Sequence, residues 1–342
     1  MMGVAAKEVG QMRAVRLHGV RDVRVAEEAV PAPEPATCLV RVTAVGLCGS
    51  DLHWYDQAGI GDSRLDYPVV PGHEFAGAIE GGPRDGERVA VDPAIPCEEC
   101  PMCRLGHRNL CPRIRFAGHG TFDGALRDYL TWPESLLHPL PDALSDAEGA
   151  MLEPLGVALH ALDLGHLRLG ASVAVIGCGP IGLLLIQAAR AAGAGTIIAT
   201  EPLPHRRRAA EKHGADHVWD VIDAERIEAT AGLGVDVAFE AAGTDPAVAA
   251  AMVAARPGGR VVLAGIPDQD STTFPASVAR RKGLTIAMSR RMNDTYPRAI
   301  ALMRRGAIDL ASLVTDRYPL DAAPAAFAAA ASRRGVKTIV EP

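Results

Sequence analysis

Several absences narrow the class of this chain before any motif is read. No apolar run approaches the ~20 residues that a bilayer-spanning helix needs. The most apolar stretch, Ile181 to Ile186, is followed at once by Gln187 and Arg190. Basic excess is missing too: 35 Lys and Arg stand against 41 Asp and Glu, for a formal charge of −6. That balance argues against a protein whose task is to neutralise nucleic-acid phosphates or anionic lipid. No repeat of fixed period appears, which removes solenoids and propellers. Residues 1–11 carry Lys7 and Glu8 and no long apolar segment, so no export leader is expected and the cytoplasm is the expected compartment. Seven cysteines in such a setting read as metal ligands or buried thiols rather than disulfides.

What is present divides by texture. Residues 12 to about 150 are rich in Pro, Gly and short β-branched runs such as Cys38–Val45 and Arg88–Val91, the pattern of a mostly β unit. From about 170 to 290, strand-like segments at 171–176, 196–200, 235–239, 260–264 and 284–288 alternate with helical ones. That alternation predicts a parallel sheet covered on both faces, because parallel strands need long crossovers. The remainder from about 292 reads as Ala-rich and helical, with a last strand at 336–340. Pro133 to Pro141 reads as a loop. The two ends of the chain are expected to build one domain, 12–160 with 292–342, around an inserted domain, 161–291.

Cys97, Cys100, Cys103 and Cys111 form C-x2-C-x2-C-x7-C. Four thiolates this close in sequence can converge tetrahedrally on zinc, and a closed set of four leaves no position for substrate. An iron–sulfur cluster suits four thiolates as well, and a nucleic-acid zinc ribbon would want a more basic surround than Arg104, His107 and Arg108 offset by Glu98 and Glu99. A structural zinc that clamps a loop is the preferred reading over these and over four unrelated buried thiols.

A second, open constellation comprises Cys48-Gly-Ser50-Asp51-Leu-His53, Gly72-His73-Glu74 and Glu153-Pro154-Leu155. Cys, His and Glu are zinc-ligand types, and three protein ligands leave a fourth position for water or substrate. Each piece alone is equally consistent with surface or turn residues. Further on, Gly177-Cys178-Gly179-Pro180-Ile181-Gly182 is G-x-G-x-x-G directly after a strand and at the start of a helix. There the glycines permit a tight turn, close backbone approach to a pyrophosphate and close helix–strand packing. Glu201, 19 residues after Gly182, falls at the end of the next strand, where a carboxylate would hold the ribose hydroxyls.

In this order, Cys48-Gly-Ser-Asp, Gly72-His73-Glu74, the four-cysteine clamp and the glycine fingerprint resemble the zinc-dependent medium-chain dehydrogenases from Met12 onward. Glu153-Pro154-Leu155 resembles their sorbitol or polyol dehydrogenase branch. The resemblance implies an α/β protein: a GroES-like, mostly β catalytic domain and a doubly wound Rossmann domain. It implies two zinc ions per chain and NAD. By it, Cys48, His73 and Glu74 hold the catalytic zinc, with Glu153 as a fourth ligand or the holder of its water. Ser50 and His53 take the places of a proton relay, Asp51 that of a carboxylate behind the zinc-bound His, and Arg206 that of an Arg on the adenine side.

The implied activity is reversible oxidation of a secondary alcohol in a polyol or sugar-like substrate. Alternatives are the same chemistry on a sugar acid, a threonine-like amino-alcohol or an aminocyclitol, and a non-catalytic nucleotide-binding descendant. A homodimer or tetramer is implied, paired through the edge at 284–288. Trp54 stands where the branch commonly has Tyr, and Arg290-Arg291-Met292 where it has an Arg-Tyr pair, so Arg291 can supply the Arg but Met292 cannot donate a hydrogen bond. The connection from Glu80 to Arg88 is also short. These departures bear on which polyol is taken.

Overall fold

A computed structural model of the chain describes residues 10–342. The reading of residues 1–11 as free of an export leader therefore lies, apart from Gly10 and Gln11, outside the described residues. Among the described residues no helix is long and apolar enough to cross a membrane.

The first unit opens on an antiparallel hairpin, Gln11–Gly19 with Asp22–Ala29. Beside it lies a seven-stranded sheet whose central strand is Thr37–Gly46. Glu74–Glu80 pairs with one edge of that strand in antiparallel register, setting Gly46 opposite Glu74. The chain's last strand, Lys337–Glu341, pairs with the other edge through Ile339 and Val340. The core under this sheet gathers Val40, Val42, Phe75, Ile79, Trp132 and Phe327, all essentially buried.

The second sheet has six strands in the order 217–219, 197–200, 173–176, 235–240, 255–263, 285–288, every pair parallel. Numbered along the chain this is 3-2-1-4-5-6, the doubly wound dinucleotide-binding order. Both faces are covered: Val173 and Val175 point into one core with helix Pro180–Ala191, Ala174 and Ile176 into another with helix Asp245–Ala254. Continuous apolar runs such as Val173–Ile176 follow from that, since alternate residues on both sides must be apolar.

Two local expectations change. Pro133 to Pro141 is not a loop throughout: it ends strand Tyr129–Pro133, makes a short turn and then forms strand Leu137–Pro139 against Arg88–Val91. Leu137–Pro139 is the sheet's edge, where a proline's missing N–H costs no ladder bond. The stretch from 292 is not purely helical before its last strand. Between helices Tyr296–Arg304 and Ala323–Ala331 it places strand Val314–Pro319, parallel to Lys337–Glu341. Helix Leu152–Gly165 and residues from Met292 to Leu313 share a core with the six-stranded sheet.

Candidate active site

Cys48 is the N-cap of helix Gly49–Gln57, which begins where the central strand of the first sheet runs out. Its backbone N–H donates to Asp51 Oδ2 at 2.9 Å, and the other Asp51 oxygen accepts from the Gly72 N–H at 3.2 Å. Asp51 is fully buried, and its Oδ1 lies 3.5 Å from His73 Nδ1. Burial opposes its ionisation, but His73 and the two N–H donors outweigh burial and lower its pKa. Asp51 thus fixes both the Cys48 backbone and the His73 ring, the part expected of a carboxylate behind a ligating imidazole.

The ligand atoms of Cys48, His73 and Glu74 lie within 4.8 Å of one another. Ser50 Oγ is 3.3 Å from His73 Nε2. Glu153 is not in that close set. It is 3% exposed and lines one cavity with Cys48 and His73. Burial pushes its carboxyl up to about 8.

That cavity, about 150 Å³, is lined by Cys48, Ser50, Trp54, Ile60, His73, Phe116, Gly118, His119, Glu153, Val157, Ile181 and Arg291. His119 meets Trp54 edge-on at 5.4 Å, and burial, with Arg291 nearby, lowers its pKa to about 4, leaving it neutral. The Arg291 guanidinium stacks 3.8 Å from the Phe116 ring centre, and burial lowers it only to about 10, so it stays charged. Met292 is buried against Gly156 instead of reaching the cavity. His53 is elsewhere: its Nδ1 lies 3.6 Å from Asp268, and no hydrogen bond joins it to Ser50 among the described residues. A larger open cavity of about 540 Å³, among the ends of helices Pro180–Ala191, Pro204–Lys212 and Tyr296–Arg304, contains none of the expected site residues.

One important residue was not foreseen. Lys337, fully buried on the last strand, pairs with Glu74 Oε2 and donates to the Leu47 carbonyl at 2.9 Å. Burial works to strip its proton, but the charges of Glu74 and Cys48 outweigh that and raise its pKa. Only glycine at position 46 lets the Glu74 carboxylate pass, because a Cβ there would overlap it. Nothing in the sequence marked it: Lys337 opens a short strand, Lys337–Glu341, that also carries Thr338 and Glu341.

The four cysteines of the clamp converge as spaced. Cys100 Sγ and Cys103 Sγ are 3.5 Å apart, and Cys97 Sγ and Cys103 Sγ 4.0 Å. Thiolates at about 2.3 Å from a tetrahedral zinc stand about 3.8 Å from each other. The Glu99 N–H is foremost in drawing the Cys97 thiol down to about 6.

At the nucleotide end, Gly177 has φ +95°, and a Cβ on Gly182 would fall 1.8 Å from the Gly177 carbonyl oxygen, so turn and helix can meet only without side chains. A Cβ on Gly179 would meet nothing nearer than Arg206 at 3.6 Å, so its bareness leaves room for a ligand at the helix N-terminus, where Pro180 is the first residue. The Glu201 oxygens accept from the N–H groups of Cys178 (2.9 Å) and Leu203 (3.1 Å). Arg206, half-buried, donates to the Gly335 carbonyl at 3.1 Å.

Comparison with known proteins decides the family. Residues 34–142 match the alcohol dehydrogenase GroES-like domain and residues 180–305 the zinc-binding dehydrogenase domain. The chain belongs to the zinc-dependent medium-chain dehydrogenases. Within that family, the dehydrogenase is 37% identical over 320 residues to a sorbitol dehydrogenase of Bacillus subtilis, with 91% of each chain covered. It is 35% identical over 340 residues to a probable D-xylulose reductase A of Aspergillus fumigatus, with 95% of each covered. It superposes with a TM-score of 0.87 on a putative zinc-binding dehydrogenase from Sinorhizobium meliloti bound to NADP, 34% identical, covering 97% of this chain and 100% of that one. These relatives set the dehydrogenase in the polyol branch.

Proposed function

We propose that this dehydrogenase oxidises a secondary alcohol of a polyol or sugar-like substrate to a ketone, reversibly, with zinc and NAD. The observation that carries the reading is a shared cavity: Cys48 and His73 from the open constellation and Ile181 from the glycine turn line one 150 Å³ space. A substrate held at the first two therefore faces a nucleotide bound at the third, which is the geometry a hydride transfer requires.

Cys48, His73 and Glu74 are a fitting donor set, one thiolate, one imidazole and one carboxylate converging with Asp51 behind the imidazole. When bound there, zinc supplies a Lewis acid that lowers the pKa of an alcohol toward neutrality. The chain's residues do the rest. Ser50 Oγ, beside His73 on the cavity wall, accepts the substrate hydroxyl proton while passing its own outward; His53 lies beyond direct reach of Ser50 and joins the relay only through an intervening hydroxyl or water. Glu153, buried on the same cavity, is placed to complete the zinc set or to hold a water or substrate oxygen beside it. Arg291 and neutral His119 supply donors for the remaining hydroxyls. A nicotinamide held beyond Ile181 would accept the hydride that the carbinol carbon gives up. Cys97, Cys100, Cys103 and Cys111 hold a second, structural zinc.

Glu201 is assigned to the adenosine ribose, with Gly177, Gly179, Pro180, Ile181 and Gly182 around the pyrophosphate and Arg206 beside the turn. A 2′-phosphate would meet the Glu201 carboxylate at a cost of about 1–4 kcal/mol at near-surface dielectric. Arg206, Arg207 and Arg208 favour NADP instead. Arg207, however, is spent on the carbonyls of Glu201 and Pro202 at 2.8 Å each, so NAD is the preferred cofactor. The edge strand Thr285–Met288 exposes Ile286 and Met288, which supports pairing of two copies, and a tetramer by extension. Seven unpaired cysteines support a reducing, cytoplasmic setting.

The test is NADH formation against a panel of polyols, sugar acids and amino-alcohols, with NAD and NADP in parallel. The reading expects sorbitol or xylitol to head the panel with NAD. No turnover of any polyol, with turnover of a sugar acid or amino-alcohol, would move the assignment to that class.

A further inference from the structure

We propose that the cysteine-rich lobe positions the substrate-facing wall of the cavity, with Asn109 and Asn293 locking the turn that carries Arg291. This rests on the reading of the 150 Å³ cavity as the polyol site.

The turn in question, residues 289–294, joins edge strand Thr285–Met288 to helix Tyr296–Arg304. Arg291 and Asp294 in it adopt left-handed backbone conformations, φ +55° and +52°, which non-glycine residues hold only when their surroundings fix them. The fixing contacts come from about 180 residues earlier in the chain, between the third and fourth cysteines of the clamp. Asn109, buried in the short turn Arg108–Leu110, donates one amide hydrogen to the Arg290 carbonyl at 3.0 Å. Its other hydrogen goes to His160 Nε2 at 3.3 Å, and burial keeps that imidazole neutral and able to accept. Asn293 answers from the turn: its Oδ1 accepts from the Arg108 N–H at 3.2 Å, and its Nδ2 donates to the Gly106 carbonyl at 2.8 Å.

The peptide on one side of Arg291 and the side chain two residues beyond it are therefore both tied to residues 106–109. Arg291 Nη1, buried at the cavity, has no hydrogen-bond partner of its own. The guanidinium rests on Phe116 and faces the cavity because the backbone beneath it is held. The x7 loop between Cys103 and Cys111 is thus a brace for substrate recognition as well as part of a metal clamp.

Steady-state kinetics with sorbitol and xylitol, at saturating NAD, test this on the full-length enzyme. Asn293→Ala should raise KM for the polyol about tenfold, the scale of two lost hydrogen bonds, with a much smaller fall in kcat and an unchanged KM for NAD. Its polyol dissociation constant by calorimetry should rise in step, and its zinc content should match wild type. Asn293→Asp keeps the acceptor for Arg108 and loses the donor to Gly106, so it should fall between the two. Arg291→Ala should raise KM at least as far, and the double variant Arg291→Ala/Asn293→Ala no further than Arg291→Ala alone. Multiplying effects in the double variant, or an unchanged KM in both Asn293 variants beside a raised one in Arg291→Ala, would overturn the positioning role. An unchanged KM in Arg291→Ala would instead remove the polyol-site reading, and the proposal with it.

Discussion

Replacing Lys337 by Met tests the buried charge pair behind the candidate zinc ligands. Lys337 and Glu74 are each about 1% exposed, and Lys337 also donates to the Leu47 carbonyl. Methionine keeps most of the stem volume, so the change removes charge and hydrogen bonding more than packing. Stripping one partner from a buried pair strands the other, at a cost of about 3–5 kcal/mol. Part of that is the orphaned Leu47 carbonyl, about 1–3 kcal/mol on its own. Urea unfolding followed by fluorescence should show a lower midpoint with little change in slope. Adding Glu74→Gln should return part of the loss, because a neutral amide no longer needs the ammonium. A cost below about 1 kcal/mol, or a double variant no more stable than Lys337→Met alone, would refute the argument that the pair holds Glu74 in place.

Three further outcomes follow from the same geometry. Cys97→Ser should lower the thermal midpoint and bring zinc content from two ions per chain to one, whereas Cys48→Ser should abolish turnover in a folded chain; elemental analysis finding at most one metal in wild type would end the two-site reading. Burial raises Asp92 from 3.8 to about 6, so the folded state is penalised for ionising it. A raised folded pKa gives stability that is present below pH 4 and lost as pH climbs to about 6. Asp92→Asn should therefore match wild type at the acid end and exceed it by up to about 3 kcal/mol above pH 6, and parallel pH–stability curves would contradict this. Wild type should prefer NAD over NADP more than about tenfold in kcat/KM, with Glu201→Ala shifting the ratio toward NADP; equal use of both by wild type would remove Glu201 from the ribose.

Much of the site was legible because its signals are local. The four cysteines and the glycine turn are each set within a few residues, and their spacing carries the chemistry without knowledge of the fold. Cys48, His73 and Glu153 come from separate segments, and only the family resemblance grouped them. Lys337 was unreadable, since a lysine in a short strand ordinarily faces water, and its burial depends on the last strand pairing with the first sheet beside Glu74. Strand Leu137–Pro139 was hidden by its proline, tolerable only because it lies at an edge. The core shared by residues 292–313 with the six-stranded sheet was equally out of reach, as periodicity marks an apolar helix face but not the element it will meet.

The central claim is zinc-dependent hydride transfer from a secondary carbinol carbon to NAD. It is tested most directly with sorbitol or xylitol deuterated at that carbon and mass spectrometry of the coenzyme. The account predicts deuterium in the reduced nicotinamide and a ketose product, both lost on chelation and restored by zinc. Ketose formed with no deuterium in the coenzyme, or transfer undiminished in enzyme stripped of zinc, would contradict it.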